Sequence, residues 1–271
     1  MKTNEAITNY IIERIESGEE LQWIKPWQTG TPKNIITGKD YRGINELVLG
    51  FAGGVGLYCT PKQAINKGWN FKGAKTIPVV FWKFGEKKNK ETGEMEDYCF
   101  AKQYRVLKIE DCAGVPQELI DKYIVNNNHD PIEEAQRVCD EYKTMPTVVA
   151  SGKAAYNKSK DEILMPPLGT FDKAENYYAT LFHEMAHSTM AKHRLDRELD
   201  YASEELVAEI CSSYLCSRTG IVDETIDSSA AYVQSWSKKM KDKPQMIMTC
   251  ASKAQKAYEY IANIKREEVK K

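Results

Sequence analysis

No stretch of this 271-residue chain reaches the roughly 20 consecutive apolar residues that a membrane span requires. The longest apolar runs are short and broken, as in "TIPVVFWKF". The opening "MKTNEAITNYIIERIESG" carries acids early and has no small-residue cleavage site, which argues against a secretory signal. It reads as a helix with Ile7, Ile11 and Ile15 on one face and Gly18 as its stop. The seven cysteines contain no C-x-x-C, and only Cys211 and Cys216 lie close together. That pattern is not a disulfide framework or a zinc–thiolate site; it points to reduced thiols and a cytoplasmic protein. Internal repeats and low-complexity tracts are also missing.

The net charge is only −1, yet the charge is unevenly placed. Between Leu21 and Lys90 there are twelve Lys/Arg against three acids, a surplus of nine positive charges. The remainder therefore carries ten negative charges. Four of the five tryptophans (Trp23, Trp27, Trp69 and Trp82) fall in the basic stretch. Two electrostatic characters in one chain suggest two functions.

The local patterns predict an α+β fold with two units, residues 1–115 and 116–271. In the first, "INELVLGFAGGVG" and "TPKQAINKG" read as short helices, the latter with Thr60 as N-cap and Gly68 as stop. "TIPVVFWKF" and "AKQYRVLKI" read as strands joined by the charged loop "GEKKNKETGEMED". Phe81 and Trp82 alternate along the first strand, so at least one is expected in the core. In the second unit, a helix capped by Asp130 precedes three short strands, "MPTVVAS", "KAAYN" and "DEILMPP". A long helix with Asp172 as its expected cap carries "LFHEMAHSTM", and another runs from Ser203 to Gly220. Two further helices are expected at "AAYVQSWSKKM" and "QMIMTCASKAQKAYEYIANIK".

Histidine is scarce, yet three of the four lie between Leu181 and His193. His183 and His187 are four residues apart on a helix, so both leave the same face and can share one ion. Glu184 beside them completes H-E-x-x-H, two metal ligands and a general base acting on a metal-activated water. Two imidazoles and a carboxylate among Tyr178, Leu181, Phe182, Met185 and Ala186 would be expensive to bury without a task. A catalytic zinc needs a third protein ligand, and several candidates compete. His193 has the spacing of a longer histidine motif, but Met190, a good helix former, stands where that motif has a helix-breaking glycine. Glu205 is the favoured candidate, with Glu209 accepting the outer N–H of His183; Glu204 or Glu209 as ligand are the alternatives. Glu204 also suits the start of a helix through the dipole alone. Tyr201, His193 and Arg194 are candidates for oxyanion or substrate contact, and "DEILMPP" for an edge strand that binds extended peptide.

In the basic stretch, lysines and arginines alternate with aromatic rings. Composition alone favours rings in a core and lysines on a solvated face. The other reading is a single-strand binder, in which cations follow phosphates and rings stack on bases. Its candidate contacts are Trp27, Lys33, Asn34, Lys39, Tyr41, Arg42, Asn45 and Lys62.

"YYATLFHEMAHSTMAKHRLDRE" followed by "YASEELVAEICSSYLCSRTGI" resembles the metallopeptidase half of ArdC-type antirestriction proteins of plasmids and other mobile elements. "ESGEELQWIKPWQTGTPKNIITGKDYRGIN" and "TPKQAINKG" with "TIPVVFWKF" resemble that family's N-terminal single-stranded-DNA-binding domain. "YVQSWSKKMKDKPQMIMTCASKAQKAYEYI" resembles its C-terminal helices. The resemblance implies a zincin-like, gluzincin-type second domain, with Glu205 at the position of the glutamate ligand. It implies single-stranded DNA as partner; the H-E-x-x-H motif with a third ligand predicts zinc, or a substitute such as manganese, and the short apolar runs predict no membrane. Met190 departs from the family's usual glycine, and "KGWNFKGAKT" from its Gly-rich basic turn. The alternative reading is an intracellular zinc metalloprotease whose basic unit binds a protein.

Overall fold

The computed structural model describes residues 3–16, 31–52, 56–88, 95–123, 131–221, 241 and 243–265. Gly18, Trp23, Trp27, Asp130 and the helix expected at "AAYVQSWSKKM" lie outside the described residues. The first half runs α1 (Thr3–Glu16), β1 (Lys33–Asn34), α2 (Ile44–Ala52), β2 (Leu57–Cys59), α3 (Pro61–Lys67), β3 (Ile77–Lys88) and β4 (Met95–Lys108). The second runs α4 (Gln117–Asp121), α5 (Pro131–Glu141), β5 (Thr147–Ala150), β6 (Ala155–Asn157), β7 (Glu162–Met165), α6 (Ala174–Ser188), α7 (Tyr201–Thr219) and α8 (Gln245–Ile261).

Helix ends follow local chemistry. At α3 the Thr60 hydroxyl accepts the Gln63 N–H (3.2 Å), and the Gln63 side chain accepts the Thr60 N–H (2.8 Å). Gly68 closes the helix at φ 71°, where a side chain would be strained. Two expected starts move. Lys173, not Asp172, precedes α6, and no side chain caps it. The next helix begins at Tyr201, because Asp200 accepts the N–H of Ser203 (3.2 Å) and captures its hydroxyl as well (2.6 Å).

The first sheet has the order β1-β2-β4-β3, with β1 parallel to β2 and the other pairs antiparallel. The β3–β4 ladder continues from Ile77↔Val106 out to Lys88↔Met95, so both ends of the expected charged loop belong to strands. The second sheet has the order β5-β7-β6. This corrects the expectation for "DEILMPP": it forms β7, the central strand, whose two edges are already paired. It therefore cannot take up a further strand.

Apolar packing runs across the boundary expected at residues 115 and 116. One apolar cluster joins Ile7, Ile11 and Val48 of the first half to Phe182, Val207, Leu215 and Ile261 of the second. Thr8 donates to the Pro244 carbonyl (2.7 Å), Gln255 accepts the Gly43 N–H (2.8 Å), and Tyr214 donates to the Gly43 carbonyl (2.9 Å). A smaller cluster around Ile35, Leu57, Trp69 and Leu107 lies within the first half. Among the described residues six cysteines are free and buried, and no helix is long and apolar enough to cross a membrane.

Candidate metal centre and nucleic-acid surface

Helix α6 packs against α7, and their facing sides bring the polar residues together. His183 and His187 stand one turn apart, with their Nε2 atoms 3.0 Å from each other. Between them comes the Glu205 carboxylate, 3.5 Å from His183 Nε2 and 3.6 Å from His187 Nε2. One ligand atom from each of these residues lies within 4.8 Å of the others. The outer nitrogens meet two further acids. Glu209 lies 3.4 Å from His183 Nδ1, and Glu204 lies 3.5 Å from His187 Nδ1. Carboxylates outside favour N–H at each Nδ1, which turns both Nε2 lone pairs inward. Two imidazole nitrogens and a carboxylate converging on one point need positive charge between them, from a cation or, without one, from a proton on His187. The donor set of two imidazoles and one carboxylate fits a zinc-type divalent ion and leaves room for a non-protein ligand.

Glu204 is fixed in turn. Arg197 grips both its oxygens (2.8 and 2.5 Å), and both side chains are buried. The same guanidinium donates to the Thr189 hydroxyl (2.9 Å) and the Ala186 carbonyl (3.2 Å) near the end of α6. Glu204 thus stands on the outer side of His187, with its oxygens engaged, rather than among the converging ligand atoms. The Arg197 clamp has no signal in the sequence beyond an arginine in a loop.

Electrostatics follow this arrangement. The His183 and His187 imidazoles hold the Glu205 carboxyl well below the usual range. Burial pulls the His187 imidazole down, but Glu204 and Glu205 outweigh it and leave the ring raised to about 9. Burial pushes the Glu184 carboxyl up, against the pull of His183, His187 and a backbone hydrogen bond from Tyr156 of β6. A raised carboxyl suits a group that takes a proton and returns it. Below pH 9 a cation must displace the His187 proton, so its apparent affinity should fall about tenfold per pH unit and its uptake should release a proton. Calorimetry in two buffers of different ionisation enthalpy measures that proton directly. No buffer dependence at neutral pH would refute it.

Helix α6 ends at Ser188 even though Met190 favours helix, and the chain turns through Leu195 N–H to Thr189 O (3.0 Å). That turn does not bring His193 to the other histidines. It is largely exposed, with Nε2 3.4 Å from Asp161. Arg194, expected as an oxyanion or substrate contact, is engaged within the fold. Its guanidinium is buried and engaged by both Asp161 oxygens (2.7 and 2.9 Å), the Ser188 carbonyl (3.1 Å) and the Thr144 carbonyl (2.6 and 3.0 Å). It clamps the β6–β7 turn to the end of α6, and Tyr156 joins through its hydroxyl to Asp161 (2.8 Å). Tyr201 is 75% exposed on the first turn of α7.

The candidate DNA contacts divide into surface and framework. Lys39, Arg42 and Lys62 are exposed, and Lys33 pairs with Asp40. Asn34, Tyr41 and Asn45, also expected as contacts, are buried and bonded within the fold. Asn34 accepts the N–H groups of Ile36 (3.1 Å) and Thr37 (3.0 Å) and donates to Gln63 (3.0 Å) and the Tyr41 hydroxyl (3.2 Å). Asn45 holds both backbone groups of Val80 at 2.7 Å, like a short extra strand. Phe81 and Trp82 also break their expectation, at 44% and 50% exposed. The ribbon has left the core by that point, so alternation no longer sends one ring inside.

Two family models match the chain, the N-terminal domain of anti-restriction factor ArdC over residues 1–107 and a zincin-like metallopeptidase over residues 133–253. The metal-free crystal structure of antirestriction ArdC protein from plasmid R388 is 35% identical, with a TM-score of 0.76, covering 97% of this chain and 99% of that one. Its Mn(II)-bound structure is 33% identical with a TM-score of 0.73 over 97% and 98%. The uncharacterized protein y4eC of Sinorhizobium fredii is 31% identical over 95% of this chain and 90% of its own length. A DNA primase TraC of Escherichia coli is 31% identical over 98% of this chain, which spans 20% of the primase; a second TraC is 29% identical, and the chain spans 27% of it.

Proposed function

Because the chain belongs to the ArdC-type antirestriction family and its second half is a zincin-like domain, we propose that it binds single-stranded DNA and carries a divalent-metal peptidase centre. The observation that carries the peptidase reading is the convergence of His183, His187 and Glu205 beside the buried Glu184. The Mn(II)-bound relative supports a divalent ion, with zinc or manganese as candidates. When bound, the ion polarises a carbonyl and acidifies water. Glu184 takes a proton from the attacking water and delivers it to the leaving amine. Glu209 and Glu204 orient the two imidazoles, and Arg197 orients Glu204. The DNA reading is supported by the family match over residues 1–107 and by the exposed cations Lys39, Arg42 and Lys62.

Glu184→Gln, close in shape, tests both parts on the full-length chain. It should keep metal and DNA binding and lose about 10²–10⁴-fold in peptide hydrolysis. Hydrolysis at the wild-type rate would remove Glu184 from the role of base. Absence of DNA binding by the wild-type chain at moderate salt would refute the DNA reading and favour a protein partner for the basic surface.

A further inference from the structure

The β3–β4 ribbon puts more aromatic surface into solvent than its own fold needs. Its register fixes the faces. Phe81↔Lys102 and Val79↔Tyr104 lie opposite each other, with Phe100 opposite position 83, so Phe81, Phe100, Lys102 and Tyr104 share one face. Trp82↔Ala101 and Val80↔Gln103 give the other face, with Arg105 in the same alternation. Phe81, Trp82 and Phe100 are 44%, 50% and 42% exposed. Rings on both faces of a two-stranded ribbon therefore meet solvent. On the first face Phe81 packs edge-on to Tyr104 (5.2 Å) and Tyr41 (6.3 Å), and Lys102 lies 5.2 Å over the Tyr104 ring.

Charge narrows the occupant. The ribbon holds six cations (Lys83, Lys87, Lys88, Lys102, Arg105 and Lys108) against three acids, and those acids, Glu86, Glu96 and Asp97, lie beyond the exposed rings toward its tip. An acidic peptide would answer the cations and leave the rings bare. A duplex would answer the cations while its bases stay stacked on each other. A single strand answers both, with phosphates for the cations and base faces for the rings.

We propose that this ribbon is the base-stacking element for single-stranded DNA, with Phe81 and Phe100 on one face and Trp82 on the other, and with Lys102 and Arg105 meeting phosphates. The proposal rests on the DNA-binding reading above and adds the surface that does it. None of these five residues was among the contacts expected from the sequence.

The test is fluorescence anisotropy of the full-length chain with labelled oligo-dT and with a blunt duplex, across salt. Trp82→Ala and Phe100→Ala should each weaken oligo-dT binding about 5- to 150-fold, the range for losing one stacked base, with the salt slope unchanged. Lys102→Gln should lower that slope by roughly 0.7 for one lost phosphate contact. All three should melt with the wild type, since the side chains are exposed; Phe81→Leu keeps the packing on Tyr104 while removing the aromatic face. Wild-type affinity in the Trp82→Ala/Phe100→Ala double variant overturns this proposal alone. So does a preference for duplex, or displacement by poly-glutamate at equal charge. No binding of either nucleic acid by the wild-type chain overturns the broader DNA reading with it.

Discussion

Glu205→Ala is expected to strip the divalent ion from the chain, while His193→Ala keeps it. Among the described residues Glu205 is the one carboxylate whose oxygens face both inner nitrogens, at 3.5 and 3.6 Å. Without it two imidazoles remain, on adjacent turns of one helix, and an ion held by two neutral donors is shared with bulk water. The loss should exceed the roughly 10–100-fold typical of removing a group that only orients a ligand. His193, 3.4 Å from Asp161 and mostly solvated, has no part in the convergence. Metal content by mass spectrometry after dialysis against a weak chelator measures both variants. Full occupancy in Glu205→Ala would show that the third ligand lies elsewhere.

Arg197→Met should destabilise the fold by about 3–5 kcal/mol, a fall in Tm of roughly 6–20 °C. The buried Glu204 carboxylate would lose its bidentate partner and keep its charge. The Thr189 hydroxyl and the Ala186 carbonyl would lose a donor in the same stroke. The double variant Arg197→Met/Glu204→Gln removes the stranded charge, so most of the stability should return. Metal affinity should not, because His187 Nδ1 would still face a weaker partner. Calorimetric melting and a chelator competition separate the two effects. Equal melting of the single variant and the wild type would mean that the ion pair contributes nothing to the fold.

The histidine pair was readable because a helix turns at a fixed rate: His183 and His187 had to share a face, and Glu205 and Glu209 likewise on the next helix. The α3 caps were readable for the same local reason. What stayed hidden depends on where distant chain segments meet. Arg197 reaches Glu204 only because the chain reverses between Thr189 and Arg197. Asn34, Tyr41 and Asn45 have the composition of a polar surface, yet Gln63 and the backbone of Val80 draw them inside. Phe81 and Trp82 follow strand alternation faithfully. The rule failed because it assumes that one face of the strand is covered, and the ribbon extends past the layer that would cover it.

The continuous apolar cluster from Ile7 to Ile261 has a consequence for how such a sequence can be inherited. A recombination crossover near the middle of the chain would bare Val48 and Tyr58 on one product and Leu215 and Ile247 on the other. Neither half could then be exchanged for an unrelated partner without refitting that contact. Two TraC primases of Escherichia coli match 98% of the chain over 20% and 27% of their own length, both halves together.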